Sequence, residues 1–419
     1  MAEIAKKRGR PVGSTKKNVV GNGVYTMNFE KQIQNAPVNK LNAMGWVNYG
    51  SKNLYPFDLI NLYNTSVTHK ACCDFATNAI VGGGLDIEAM KINSDDLQNP
   101  NYNMGWNEFI RTLAFDFNLY SAFAFQIIRN RDGKTYSFYH QPIETIRLEM
   151  ADEDGVINNA YLCKDWSEIG KNPPIKIPMF GFQDEKEIPS GVPYLFYHRQ
   201  YNPVNFYYGL PVYASALNCI MAEAQYQIFD LKNIVNGFTP VGCLTLQNVE
   251  TDEERQAIIN NISKLFTGAE NSNSLLVQFR NNVDDPGVVF TPFTQKSQSA
   301  DLYEKANERT ITRIMAAWKI PSKALIGYNA DDTGFSNSGE YMESAFALYN
   351  VNVADNNRKE IIDVINQLFK MNGIDVKIIL KPLKYRINDD VQTDKDKNTE
   401  AIGETTTEEE VEERKDNSI

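Results

Sequence analysis

Apolar residues recur at Leu59, Leu62/Tyr63, Val67, Ala71, Phe75 and Ala79, the spacing of one helix face, and predict a single helix opened by Leu54-Tyr55-Pro56. Pro56 suits a first helical position and Asp58 the first turn. The pattern stops at Gly82-Gly83-Gly84, where glycine can close a helix in the left-handed conformation. A second helix reads through Trp106, Phe109/Ile110, Leu113, Phe117 and Tyr120. From about Phe123 the pattern becomes strand-like. Arg131-Asp132-Gly133-Lys134 separates Phe125–Arg129 from Thr135–Tyr139, and Glu153-Asp154-Gly155 separates Thr145–Met150 from Val156–Cys163. Asp-Gly between β-rich runs signals a hairpin, because both residues tolerate positive φ. A further strand is expected at Tyr194–His198. The first unit is therefore α+β with an antiparallel sheet.

A long helix is expected from Pro211 to Asn236, with an apolar stripe of Leu217, Ile220/Met221, Ala224, Ile228, Leu231 and Val235. A small β-α-β insert follows. Val241–Gln247 and Leu275–Phe279 read as strands, and Thr251 with Glu254 forms a capping box for a helix through Ile258 and Leu265. Asp285-Pro286-Gly287 turns the chain into a third strand, Val288–Phe293. An amphipathic helix using Leu302, Ala306, Ile311, Ile314/Met315 and Trp318 ends at Ile320-Pro321, and a polar loop runs from Gly327 to Gly339. The next helix, roughly Glu340 to Met371, has a polar middle at Asp355-Asn356-Asn357 that is a candidate kink. A last strand is expected at Val376–Leu380. Two long helices thus flank a compact insert, each with an apolar stripe too narrow to form a core alone, so neighbours, here copies of the same chain, are expected to complete them.

Composition narrows the class. The 419 residues correspond to about three packed units. With 42% hydrophobic residues, 21 Tyr, 22 Phe and 4 Trp, the middle of the chain must bury a core. No apolar run is long enough to span a bilayer, and MAEIAKKRGRPVGSTKK has no apolar stretch behind its positive charge, so neither a membrane span nor a secretory start is expected. Five cysteines (Cys72, Cys73, Cys163, Cys219 and Cys243) form no CxxC and point to a reduced, intracellular protein. The net charge of −11 is unevenly placed. Residues 1–17 hold six cations and one carboxylate, whereas residues 389–419 hold twelve carboxylates and four cations. Both ends read as solvated arms. An acidic body argues against tight gripping of a phosphate backbone, but not against a surface that DNA passes without sticking.

Signs of catalysis are thin. Three histidines (His69, His140 and His198) are few for acid–base or metal chemistry. His69 and Cys73 share a helix face as buried residues would, and no further ligands lie nearby in sequence. The glycine run follows a helix, unlike a phosphate-cradling loop, and Asp331-Asp332 reads as a solvated loop pair before a divalent-ion site. No enzymatic activity, cofactor or metal is expected. Lys6-Lys7-Arg8-Gly9-Arg10-Pro11 resembles the core of an AT-hook, which lies in the minor groove of A·T-rich DNA; a plain basic arm is the other reading of Lys6, Lys7, Arg8 and Arg10.

The order of segments resembles the portal proteins of tailed bacteriophages. The resemblance rests on Leu54-Tyr55-Pro56 opening a helix that ends in a Gly-rich turn, on Tyr208-Gly209-Leu210-Pro211 launching the long helix, on Asn236-Gly237-Phe238-Thr239-Pro240 closing it, and on Ile311–Pro321. It covers roughly residues 40–385. It implies a ring, usually of twelve subunits, at one capsid vertex, with double-stranded DNA passing along its axis and no membrane involved. The implied partners are the major capsid protein, the terminase large subunit and head–tail adaptor proteins, and the implied locations are the virion and, during assembly, the host cytoplasm. The resemblance divides the chain into a basic arm (1–25), an α+β wing (26–205), a stem helix (206–237), a clip (238–293), a second stem helix (294–321), a tunnel loop (322–339), a kinked helix with a returning wing strand (340–388) and an acidic tail (389–419). It implies that Asn329, Asp331, Asp332, Thr333, Phe335, Ser336 and Asn337 face the channel and that Thr251, Glu253, Glu254 and Arg255 contact an adaptor. A DNA-binding regulator using the basic arm, or an intracellular enzyme of unknown class, are the alternatives.

Overall fold

The structure, a computed structural model, describes residues 40–93, 97–182, 188–236, 242–247, 253, 256, 275–280, 298–328 and 339–383. They form an α+β arrangement. The single helix expected before the glycine run is two: α1 (Tyr55–Thr65) and α2 (Val67–Val81). Ser66 breaks it by leaving helical geometry at φ −99°, ψ 117°, and its hydroxyl accepts the His69 N–H as an N-cap. The apolar stripe breaks with it, since Val67 is exposed.

After the four-residue α3 (Ile87–Met90), α4 (Trp106–Tyr120) takes the expected place. It packs against α2 and against β1 (Ala122–Arg129). Strands β2 (Tyr136–His140), β3 (Ile146–Leu148), β4 (Asn159–Leu162), β5 (Ile175–Pro178) and β6 (Pro193–Arg199) follow. They make two antiparallel sheets, ordered β2-β1-β6 and β3-β4-β5, rather than one. β5 is absent from the sequence reading because Ile175 and Lys176 are exposed, so its alternation carries little apolar signal. In the first sheet Phe125 stands opposite both His140 and Phe196, and Phe123, Phe125, Ile127 and Phe138 are buried.

The long helix starts later than expected. α5 spans Leu217–Asn236, 20 residues in place of 26, after a 3-10 turn at Ala214–Ala216. The Tyr213 hydroxyl donates to the Leu119 carbonyl at 2.7 Å, which ties the approach to α4 before the helix can begin. β7 (Gly242–Gln247) and β8 (Leu275–Arg280) are parallel, with Gly242 opposite Leu275. The expected third insert strand lies outside the described residues. The returning helix α6 is Gln298–Ala317, and Lys319 adopts φ 57° just before Ile320-Pro321.

α7 (Gly339–Tyr349) and α8 (Asp355–Met371) are joined by a π-helical stretch, Asn350–Ala354. The irregularity thus precedes the candidate kink by about one turn, and Asp355 begins regular helix. Val376–Leu380 is no strand of either sheet. Leu380 makes one antiparallel bridge with Leu85, and the Gly83 N–H donates to the Lys381 carbonyl at 2.7 Å. Gly82 is obligatory here: it has φ 62°, and a Cβ would lie 2.2 Å from the Lys381 oxygen. The tie to the first sheet comes instead from Asn372. Its side chain accepts the Tyr136 N–H at 2.7 Å and donates to the Tyr136 carbonyl at 3.0 Å, completing the β2 edge as a strand would.

Candidate functional site: the root of a helical pair

α5 and α6 pack together, and both meet α2. The Leu217–Ile220 end of α5 and the Ile311–Trp318 end of α6 are buried, so the pair is antiparallel with one end set in the core. Farther along α5, Ile228 is 44% and Leu231 60% exposed. The β7/β8 pair lies in sequence between the two outer ends.

α2 is the socket. Its N-terminal turn has unpaired N–H groups and the positive end of the helix dipole. The Glu223 side chain of α5, only 5% exposed, fills that position. It accepts from the Thr68 N–H at 3.2 Å, from the Thr68 hydroxyl at 2.6 Å and from the Ser66 hydroxyl, so the residue that caps α2 also carries the link to α5. At the opposite end, Arg358 of α8 donates to the Ala79 carbonyl at 2.5 Å and the Ile80 carbonyl at 2.9 Å. An acidic side chain at the N-terminus and a cation at the C-terminus, each from another element, complement the dipole.

α6 is held by an aromatic joint. Trp318 stacks on Tyr213 at 4.9 Å and 18°, and its indole N–H donates to His69 Nδ1 at 3.1 Å. That donation places the proton of neutral His69 on Nε2, which is buried without a partner. Burial lowers the His69 pKa to about 3. The folded state therefore binds fewer protons than the unfolded state between about pH 3 and pH 6.5, and stability falls as pH drops through that window. We expect His69→Gln to flatten the dependence of urea stability on pH between 6.5 and 4.5 by roughly 1 kcal/mol per pH unit relative to the parent chain. Parallel curves for the two proteins would show that His69 takes up its proton in the folded state.

Neighbouring chemistry-bearing groups serve packing. Cys72 and Cys73 are buried and free, and burial raises both thiols, removing the reactive thiolate at neutral pH. The buried Arg147 spends its donors on Asn53 Oδ1 and the Asn53, Ile146 and Glu144 carbonyls, with Trp166 over its face at 4.8 Å; burial lowers its pKa to about 10. Asp116 and His140 meet at 2.8 Å. Burial is the largest single influence on each. It raises Asp116 against the opposing bond to His140; at His140 it acts downward but is outweighed by the bond and charge of Asp116, which raise the histidine. His198 reaches Glu360 of α8 at 2.9 Å and stacks on Phe123. Among the described residues no group of three or more His, Cys, Asp or Glu side chains could hold a metal ion, and no helix is long and apolar enough to cross a membrane.

The residues assigned to the channel, Asn329, Asp331, Asp332, Thr333, Phe335, Ser336 and Asn337, lie outside the described residues, as do the arm residues Lys6, Lys7, Arg8 and Arg10 and the clip residues Thr251, Glu254 and Arg255. Glu253 is described and exposed. Sequence reasoning overlooked an open basic depression lined by Lys305, Arg309, Thr312, Arg313 and Lys323 with Glu308. The i, i+4, i+8 spacing of three of its cations was the available signal.

No family model matches the chain, and no curated protein matches it. Among solved structures, it is similar to a chain of the virion of a native gene transfer agent particle, at 16% identity and TM-score 0.47, over 83% of this chain and 89% of that one. It is also similar to a chain in the neck of the native particle computed with C12 symmetry, at 15% identity and TM-score 0.47, over 88% of this chain and 92% of that one. Likeness at this level leaves the function to be argued from the residues of this chain.

Proposed function

We propose that the chain is the subunit of a portal-type ring, set at one vertex of a tailed-phage-like capsid and serving as conduit for double-stranded DNA without catalysis of its own. The supporting observation is the helical pair. Its inner end is bolted to α2 by Glu223 and by the His69–Trp318–Tyr213 joint, while Ile228 and Leu231 farther out are exposed. Stripes of this kind on anchored rods suit side-by-side packing of identical subunits, which turns each rod's bare face into interface. In this reading twelve copies close the ring, the polar 327–339 loop lines the bore, and the segment between α5 and α6 meets the packaging motor and later the adaptor proteins. The loop has no Lys or Arg, so it offers phosphates no strong attachment.

The test is assembly. Negative-stain images of the purified protein should show annular particles with a central hole. Ile228→Asp combined with Leu231→Asp should abolish them while changing subunit stability by no more than about 0.5 kcal/mol, because both side chains are exposed in the single chain. Compact monomers from the parent protein, or intact rings from the double variant, would defeat the proposal.

A further inference from the structure

We propose that the acidic C-terminal segment, residues 389–419, docks within its own chain on the basic depression formed by α6 and the 3-10 turn Lys323–Ile326. This inference does not rest on the portal reading. Lys305, Arg309 and Arg313 stand one helical turn apart on α6 and are all exposed. Lys323 borders them from the following turn, 5.4 Å over the Tyr328 ring. Among the described residues none of the four has an ion-pair partner; Arg309 spends one N–H on the Lys305 carbonyl at 3.2 Å. Among the described residues Glu308 is the one carboxylate of the lining, set against four cations on a chain whose net charge is −11. Like charges a helical turn apart repel, and an anion laid across them relieves that repulsion.

The chain holds such an anion. Residues 389–419 carry twelve carboxylates against four cations, concentrated at Glu408-Glu409-Glu410-Val411-Glu412-Glu413. Reach is no obstacle. The described chain ends at Leu383, and the 25 residues to Glu408 can extend about 80 Å, whereas a domain of this size has a radius of gyration of about 20 Å. Carboxylates spaced along an extended segment match the repeat of cations along a helix, and a charge-only attachment of this kind weakens steeply with salt as the screening length shrinks from about 8 Å to about 3 Å. The docked segment would also deny the depression to other polyanions.

Zero-length carbodiimide cross-linking of the full chain at low salt, followed by peptide mass spectrometry, tests the proposal. Lys305 or Lys323 should couple to carboxylates between Glu404 and Asp416, and the yield should fall at least fivefold in 1 M NaCl. Arg309→Glu with Arg313→Glu keeps both lysines and should cut the yield by a similar factor. Replacing the five glutamates of 408–413 by glutamine should raise the acylation rate of Lys305 and Lys323 several-fold. Coupling of the segment only to other lysines, or acylation rates unaltered by the glutamines, would overturn the proposal. So would cross-links joining isotopically heavy to light chains in a mixed sample, which would seat the segment on a neighbouring copy. A short DNA duplex that binds the parent and the glutamine variant equally at this depression would do the same.

Discussion

Gly209→Ala should cost the fold about 3 kcal/mol or more in urea unfolding. A Cβ there would lie 2.3 Å from the Tyr120 carbonyl oxygen and 2.7 Å from that of Ser121. Both are backbone atoms at the close of α4, and Ser121 already occupies the left-handed region at φ 51°, so the neighbour has little room to retreat. The main chain of Gly209 is committed as well. Its carbonyl accepts the Tyr49 hydroxyl at 2.7 Å, and Tyr49 stacks on Tyr208 at 4.1 Å and 7°. Moving Gly209 outward would break that bond and disturb a buried ring pair at the junction of the sheets with the helical pair. A loss below about 1 kcal/mol would show that the 200–210 loop slides freely over α4.

Glu223→Ala should have an effect of similar size, about 3 kcal/mol, for a polar reason rather than a steric one. It strands the Thr68 N–H and the hydroxyls of Ser66 and Thr68 in a buried site. Glu223→Gln keeps an acceptor oxygen, and the hydroxyls can rotate to receive its amide, so at least half the loss should be recovered. Equal losses in the two variants would mean that charge against the α2 dipole, rather than hydrogen bonding, holds α5 in place. In the assembled protein, we expect Glu223→Ala to loosen the rods at their root, read as faster amide exchange in the first turn of α2.

The predictions differ in how far they were visible in the residue order. The buried ends of α5 and α6, the second helix and the Asp-Gly hairpins follow from period and turn chemistry, because those signals are local. The break at Ser66 was half visible. Serine favours an N-cap, but apolar spacing across the gap resembled one continuous helix until Glu223, 157 residues away, supplied the partner that makes the cap worthwhile. The late start of α5 depends on Tyr213 reaching Leu119, and the shift of the irregularity from 355–357 to 350–354 accompanies the bonding of Arg358 to Asp355 and to the end of α2.

By itself the sequence determined an α+β protein with two long helices around a small insert, the apolar stripes on those helices and the opposite charges of the two ends. Periodicity and composition suffice for these, since each is a property of neighbours along the chain. Only the tertiary structure decided which stripe positions remain bare, that strands divide into two sheets, that an acid and a base from distant helices cap α2, and that Lys323 completes a cationic depression begun on α6. Burial and pairing of that kind are made between segments far apart in the chain, where the free energy of an isolated polar or charged group depends on what folding brings beside it.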